Sequence, residues 1–278
     1  MKTDCKVKRL LAAGLVCLLL ALSETPMQAA DISVGEVPIQ HHQAKQGAAG
    51  TSLGLGLGVA PDYEGSDDYA GAVLPYVSVV FGNQMSIQLL ANKAKFNLLP
   101  SRVWKAGLIA EYIPERDDVD DNKVDRLDDV DTAIMLGGFF GFEYNNWSAG
   151  IEAMQDVADG NDGAIIRLNG GYRIPVSQAF MLGLGVFTTW ADDDYMEAYF
   201  EVDAVDSARS GLSTFDADSG IKDAGLNINA TYLPWQNWGF MGLLGYKRML
   251  NDAEDSPVVD DQGDKNQFVG GALVFYRF

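Results

Sequence analysis

Segments of about ten residues in which apolar and polar side chains alternate recur along the chain, and no other feature constrains its fold as strongly. In residues 164–173, Ala164, Ile166, Leu168, Gly170 and Tyr172 point one way, while Arg167, Asn169, Gly171 and Arg173 point the other. Residues 224–233 repeat the pattern with Ala224, Leu226, Ile228, Ala230 and Tyr232 against Asn227, Asn229 and Thr231. Residues 104–112 do so again, setting Trp104, Ala106, Leu108, Ala110 and Tyr112 against Lys105, Gly107 and Glu111. Such segments are about twice the length of an ordinary soluble strand and match what a tilted strand needs to cross a bilayer.

Two all-β architectures accept many long alternating strands. A soluble sandwich buries its apolar face, whereas a transmembrane barrel turns that face to lipid and lines its lumen with polar groups. Aromatic residues end the apolar rows repeatedly (Tyr76, Trp104, Tyr112, Trp147, Tyr172, Trp190, Tyr232, Trp238 and Tyr246), as rings at the two membrane interfaces would. The sequence closes on an alternating strand, Phe268–Phe278, with Tyr276 two residues before the terminal Phe278. That ending resembles the assembly signal of bacterial outer-membrane barrels, although the glycine often found five residues from the end is here Leu273. The longest apolar runs, Met135–Phe142 and Ala179–Phe187, are about half of what a membrane-spanning helix requires. The expected fold is therefore an antiparallel up-and-down transmembrane β-barrel.

Loop lengths fix strand number and direction. Upward strands are expected near 51–60, 84–91, 102–113, 146–156, 178–190 and 238–249, and downward strands near 71–81, 93–99, 131–143, 163–174, 224–234 and 267–278, twelve in all. The turns this places in the periplasm are short: Gly82-Asn83, Pro100-Ser101, Tyr144-Asn145, Pro175–Ser177 and Pro234–Asn237. The longer segments 61–70, 114–130, 157–162, 191–223 and 250–266 fall outside the cell, with Asn92 the one tight outer connection. Tyr195–Val202 also alternates, but a thirteenth strand would invert the parity downstream. It is assigned to an extracellular or inward-folded hairpin.

The first thirty residues read as a secretory signal peptide. Lys2, Lys6, Lys8 and Arg9 precede the apolar core Leu10–Leu22, and small residues follow at Ala29 and Ala30, either of which can precede the cut. Cleavage would remove both cysteines, Cys5 and Cys17, with four basic and two acidic residues. The formal charge of −19 would then become −21. A polar periplasmic segment, residues 31–50, is expected ahead of a barrel over 51–278.

Charge and residue supply narrow the function. An acidic chain is a poor ligand for phosphate backbones, so nucleic acid is not an expected partner. Residues 115–131 hold nine acids against Arg116, Lys123 and Arg126. They could bind divalent cations and bridge to lipopolysaccharide, but a solvated, self-repelling flexible loop accounts for them more simply. Asp156–Gly163 resembles a fragment of a calcium turn, though a single copy more often makes only a turn, and no EF-hand spacing occurs. His41 and His42 are the only histidines, and they lie in the polar segment before the first strand. Barrel hydrolases and proteases depend on a barrel histidine. The expectation is a protein without catalytic residues, metal or cofactor.

Several segments together are similar to the MltA-interacting protein family, MipA/OmpV. They are Pro61-Asp62-Tyr63-Glu64-Gly65-Ser66 after a glycine-rich strand, Leu74-Pro75-Tyr76, Tyr199-Phe200 with Ser210-Gly211-Leu212, Asp252–Val259 containing Asp255-Ser256-Pro257, and the Tyr276-Arg277-Phe278 ending. The resemblance implies a barrel in the outer membrane of a Gram-negative bacterium, in contact with lipid and lipopolysaccharide. It also implies a scaffold that links a lytic transglycosylase to a murein synthase in cell-wall assembly. Other members of the family have been linked to osmotic adaptation or host adhesion. A pore through the lumen and an adhesin using the acidic loops are the alternatives. A stable interface needs about 800 Å² per partner, so a scaffold with such short periplasmic turns would need the N-terminal segment as well. For the pore, the inward rows (Ser86, Gln88, Lys95, Asn97, Lys105, Glu111, Glu152, Arg167, Asn169, Arg173, Asn227, Asn229, Thr231 and Lys247) are polar, with several basic members. Segment 191–223, with apolar stretches that water would not favour, is expected to fold into the barrel mouth as a partial plug.

Overall fold

The computed structural model describes residues 50–278, so the expected signal peptide, both histidines and most of the polar N-terminal segment lie outside the described residues. Twelve antiparallel strands run in order: β1 (Gly50–Pro61), β2 (Tyr69–Val80), β3 (Ser86–Leu90), β4 (Lys93–Asn97), β5 (Trp104–Ile113) and β6 (Ala133–Tyr144). They continue with β7 (Trp147–Asp156), β8 (Ala164–Pro175), β9 (Phe180–Ala191), β10 (Gly220–Tyr232), β11 (Trp238–Met249) and β12 (Asn266–Arg277). Each strand pairs with its sequence neighbours, and β1 pairs with β12 to close the barrel. Closure leaves no end strand exposed, as a sheet in hydrocarbon requires.

Alternation sets the two faces. The glycine-rich β1 presents Leu55, Leu57 and Val59 outward, 60%, 71% and 52% exposed. Its inward positions are Gly54, Gly56 and Gly58, and the close approach of β12 explains them. A Cβ on Gly56 would lie 2.2 Å from the Ala272 carbonyl oxygen of β12, so the closing seam excludes any larger residue there. Outward aromatics gather near the rims: Trp147 packs against Tyr172 at 4.6 Å between ring centroids, Trp104 stacks on Phe140 at 5.4 Å, and Trp238 meets Tyr276 edge-on at 5.1 Å. Tyr76 is an exception to the expected aromatic belt. The register pairs it with the inward Gly54 and Leu90, and it lies buried against Phe275 inside the barrel. The residue ends an apolar row that faces the lumen instead of lipid.

Turns at one rim are short and connections at the other are long, which places the first rim in the periplasm. The long segment between β9 and β10 is not a hairpin. It forms helix α1 (Asp193–Phe200) and helix α2 (Ala204–Ser210), joined back by a single bridge between Val202 and Phe215. Asp192 caps α1 by accepting the Tyr195 N–H, and Asp203 caps α2 in the same way. The apparent alternation of Tyr195–Val202 also fits a helical stripe, because Tyr195, Met196, Tyr199 and Phe200 fall on one face and are all buried. The β11–β12 connection carries two short helices, α3 (Asp252–Asp255) and α4 (Pro257–Asp260). The acidic segment 115–131 is ordered by its apolar members: a 3-10 turn spans Val124–Arg126, and Val124, Leu127 and Val130 are buried. Self-repulsion among its acids is outweighed by that burial.

Candidate functional site

The chemistry of this barrel is concentrated in its lumen and in the cap across its outer mouth. On the β4–β8 wall the expected inward residues Lys95, Glu111, Glu152 and Arg167 meet in an ionic lattice, joined by Lys93, which the expected rows did not include. Lys95 Nζ lies 2.6 Å from Glu152, Lys93 Nζ lies 3.2 Å from Glu111 and 3.4 Å from Glu152, and Arg167 bridges Glu111 at 3.0 Å and Glu152 at 3.3 Å. Asn169 donates to Glu152 at 3.4 Å. The register causes this grouping, because Glu152 is the cross-strand partner of Arg167 and Lys93 that of Glu111. Beneath the lattice, a recess between Lys95, Lys105, Phe139, Ser148 and Glu152 measures about 10 Å³, the room of one water molecule. Asn227 and Asn229 lie flat over Gly185 and Gly183 on the neighbouring wall.

The rest of the lumen is not uniformly polar. Ala72, Leu74, Tyr76, Leu90, Leu233, Met241, Leu243, Leu273 and Phe275 form one apolar cluster along β1–β3 and β10–β12. Sequence reading placed polar rows correctly but overlooked this side, because the bare glycines of β1 hide where its neighbours' large side chains pack.

The outer mouth is closed by the long connections. Tyr195, Met196, Tyr199 and Phe200 of α1 pack into the barrel end against Ile109, Met135, Met154, Ile165 and Met249. Loop 62–68 enters the same space, and its Glu64 is 6% exposed. Lys247 Nζ lies 2.7 Å from Glu64, Lys222 pairs with the same oxygen, and the Tyr195 hydroxyl donates to the other at 2.9 Å. Burial alone would raise the pKa of Glu64, but the two lysines outweigh it and hold the carboxyl well below the usual carboxylate range. Further ties join the plug to its surroundings. Arg116 donates to the Tyr199 carbonyl at 2.9 Å, Ser256 Oγ to the Phe200 carbonyl at 2.6 Å, and Gln267 to the Ser66 carbonyl at 2.8 Å.

Most of the singled-out positions converge on this cap. Tyr63, Ser66, Ser210, Leu212, Ser256 and Pro257 are buried in it, as is Pro61 where β1 enters loop 62–68. Gly65 (φ 104°) and Gly211 (φ 79°) take left-handed backbone that favours glycine, the latter ending α2. Asp255 is exposed beside them, and Pro75 sits in the wall on β2. Tyr276 and Phe278 lie apart from the cap, at the short-turn rim, with ring centroids 5.0 Å apart. Sequence reading did not single out Glu64, Lys222, Lys247 and Tyr195 as a group. A bulge between Ile221 and Asp223 turns both Lys222 and Asp223 inward, which strict alternation forbids. The calcium-turn fragment has a structural account: Asp156 accepts N–H groups from Ile134, Ala158, Gly160, Asn161 and Asp162. Among the described residues there is no histidine or cysteine, and no group of three or more acidic, histidine or cysteine side chains is arranged to hold a metal ion.

A closed twelve-stranded barrel with an apolar outer wall, aromatic rims, short turns at one end and a folded cap at the other is an outer-membrane β-barrel protein, in contact with membrane lipid along its wall. Residues 53–278 match the family described as MltA-interacting protein MipA, and the chain belongs to that family. It is 24% identical over 243 residues to "Putative outer membrane protein YiaT" of Escherichia coli K12, covering 83% of this chain and 93% of that protein. It is 25% identical over 216 residues to the MltA-interacting protein of Escherichia coli K12, covering 75% of this chain and 84% of that one. Among solved structures, an outer membrane channel from Pseudomonas putida F1 aligns with a TM-score of 0.38 at 12% identity, over 87% of this chain and all of that one. None of these names describes an enzyme.

Proposed function

We propose that the protein is a non-enzymatic outer-membrane scaffold, which links a murein hydrolase to a murein synthase at its periplasmic face. The observation that carries this reading is the obstructed lumen. A diffusion pore needs a continuous polar passage, whereas here a buried helix fills the outer mouth and an ionic lattice crosses the wall below it. The name of one relative, MltA-interacting protein, supports the same direction. The short turns, together with the chain that precedes β1, are the surface such a partner would meet. No metal, cofactor or catalytic side chain is part of the proposal.

Two measurements on the purified, full-length mature protein test it. In planar bilayers the intact barrel is expected to conduct near background, and immobilised barrel is expected to retain a lytic transglycosylase and a murein synthase from a periplasmic extract. Steady conductance together with no retained murein enzyme would replace the scaffold by a pore.

A further inference from the structure

The two ends of the barrel carry opposite charge. The outer connections hold nearly all the acids of the described residues, nine of them in residues 115–131 alone. At the short-turn end the balance reverses. Arg102, Lys105, Arg173 and Arg277 stand there, and among the described residues Glu143 is the only acidic side chain at that end. Three of the four bases face the lumen: Lys105 pairs with Gly141, Arg173 with Gly183 and Arg277 with Ser52, all on the inward side of the alternation. Lys105 belongs to β5, Arg173 to β8 and Arg277 to β12, so the three are spread around the closed ring as a collar.

Little neutralises this collar. Among the described residues no carboxylate side chain lies within ion-pair distance of Arg102, Lys105 or Arg277, and Arg173 meets Glu143 only at 3.9 Å. Lys105 spends one N–H group on the Ser101 carbonyl at 3.0 Å. Because the collar points into the lumen, the lipid headgroups around the wall lie outside its reach. Beside Lys105, the recess described above runs from Glu152 to the half-buried Glu143, next to the Tyr144-Asn145 turn. Its back wall is the cross-strand pair Gly141 and Gly150. A Cβ on Gly137 would lie 1.9 Å from the Ala153 carbonyl oxygen, so strand packing demands that glycine, whereas a Cβ on Gly141 would come no closer than 3.4 Å to any neighbour. The bare backbone at Gly141 answers to no such demand; what it does is keep the recess open.

We propose that the periplasmic mouth binds an acidic, extended segment of a protein partner, with one carboxylate seated at the recess against Lys105 and Ser148 and others on Arg173 and Arg277. A lone small anion meets one of these bases. A segment with several carboxylates meets them in turn, since the collar positions lie about 14–24 Å apart along the wall and an extended chain covers about 3.3 Å per residue. A ring of cations around a narrow mouth draws anions from a distance and fixes their orientation. The proposal rests on the scaffold reading and deepens it. Short turns alone offer little of the roughly 800 Å² per partner that a stable interface needs, and an inserted segment supplies further area.

The probe is a fluorescein-labelled octapeptide of alternating Glu and Gly, titrated by anisotropy into the purified mature protein in detergent, with its Gln-for-Glu counterpart as control. Binding about tenfold tighter than that of the counterpart is expected, and it should fade as salt rises from about 0.05 M to 0.5 M, because exposed charges are then screened. Lys105→Gln combined with Arg277→Gln should weaken it by about tenfold, the scale of two partly exposed ion pairs. Gly141→Leu fills the recess with every charge in place and should weaken it about threefold. Heat-dependent gel mobility reports that each variant is a closed barrel. Equal affinity for the two peptides overturns the proposal, as does unchanged affinity in both closed variants. Tighter binding of a soluble muropeptide than of the glutamate peptide also overturns it, since the cell-wall polymer would then be the occupant. The two readings fail separately. If the intact barrel and the Lys105→Gln, Arg277→Gln barrel retain murein enzymes equally, the scaffold stands and this mouth is not its dock. If the intact barrel retains none while the peptide titration succeeds, the scaffold falls and the mouth remains a site for acidic peptide.

Discussion

Glu64→Gln tests whether one buried carboxylate holds the cap. The substitution keeps the side chain's shape and one acceptor for the Tyr195 hydroxyl, but it removes the counter-charge that Lys222 and Lys247 share, Lys222 retaining its pair with Asp223 at 3.0 Å. Breaking a buried ion pair by removing one partner costs about 3–5 kcal/mol. At about 1.36 kcal/mol per factor of ten, that is roughly a 150-fold to 5,000-fold rise in the equilibrium for local cap opening. Hydrogen exchange read by mass spectrometry should show it, as faster exchange in peptides covering 62–68 and 193–200 with the strand amides of β6–β9 unchanged. The pH dependence has a defined sign. Because the folded carboxyl is held below its ordinary value, its contribution is complete above the ordinary carboxylate range, declines as the pH falls through that range, and is lost only at much stronger acidity. An exchange rate in 193–200 that changes less than fivefold would show that apolar packing alone holds the plug.

Three further outcomes are expected. Phe278→Ser removes the terminal ring that packs on Tyr276 and should lower outer-membrane insertion while leaving export intact, measured by fractionation and by the heat-dependent gel mobility of the closed barrel. Asp156→Ala strips an acceptor from five main-chain donors, so the 157–162 turn should loosen by about 2–3 kcal/mol and become the first site cut in limited proteolysis, with the barrel otherwise intact. Replacing residues 192–219 by an Asn-Gly turn joins Ala191 to Gly220, which are already cross-strand partners, and should raise bilayer conductance several-fold without changing capture of periplasmic partners. Unchanged conductance in that variant would mean that the lattice, not the plug, sets the barrier.

The wall was legible because a single rule governs it. In a barrel with lipid outside, every second residue of every strand answers to the membrane, and Leu55, Leu57 and Val59 or Ile166 and Leu168 show that constraint without knowledge of their neighbours. All twelve strands follow, with differences of a few residues at their ends. The interior answers to two rules at once. Lumen-facing residues pair across strands distant in sequence, as Glu111 does with Arg167, and local pattern carries no record of such pairing. Tyr76 illustrates the cost: its ring reads as an interfacial anchor until the register pairs it with the inward Gly54. The bulge before Asp223 is a second case, since one extra residue brings a lysine and an aspartate to the same face.

The cap was legible in location but not in form, and the reason bears on its role. Apolar residues in an outer loop signal burial of some kind, and Tyr195–Val202 carries enough of them to require it. Alternation over eight residues fits a strand and one face of a helix alike, so only the capping Asp192 and the shape of the mouth decide between them. The motif residues that converge here are small or turn-forming for the same reason: Gly65 and Gly211 supply left-handed backbone, Ser66 accepts the Asp68 N–H within its own turn, and Ser256 satisfies the buried Phe200 carbonyl where two segments cross. Loop 62–68, the acidic segment 115–131, the plug and the β11–β12 connection therefore depend on one another's main-chain contacts. Loosening any one of them should be felt by the others, while the strands beneath, bonded to both neighbours around a closed ring, hold their register.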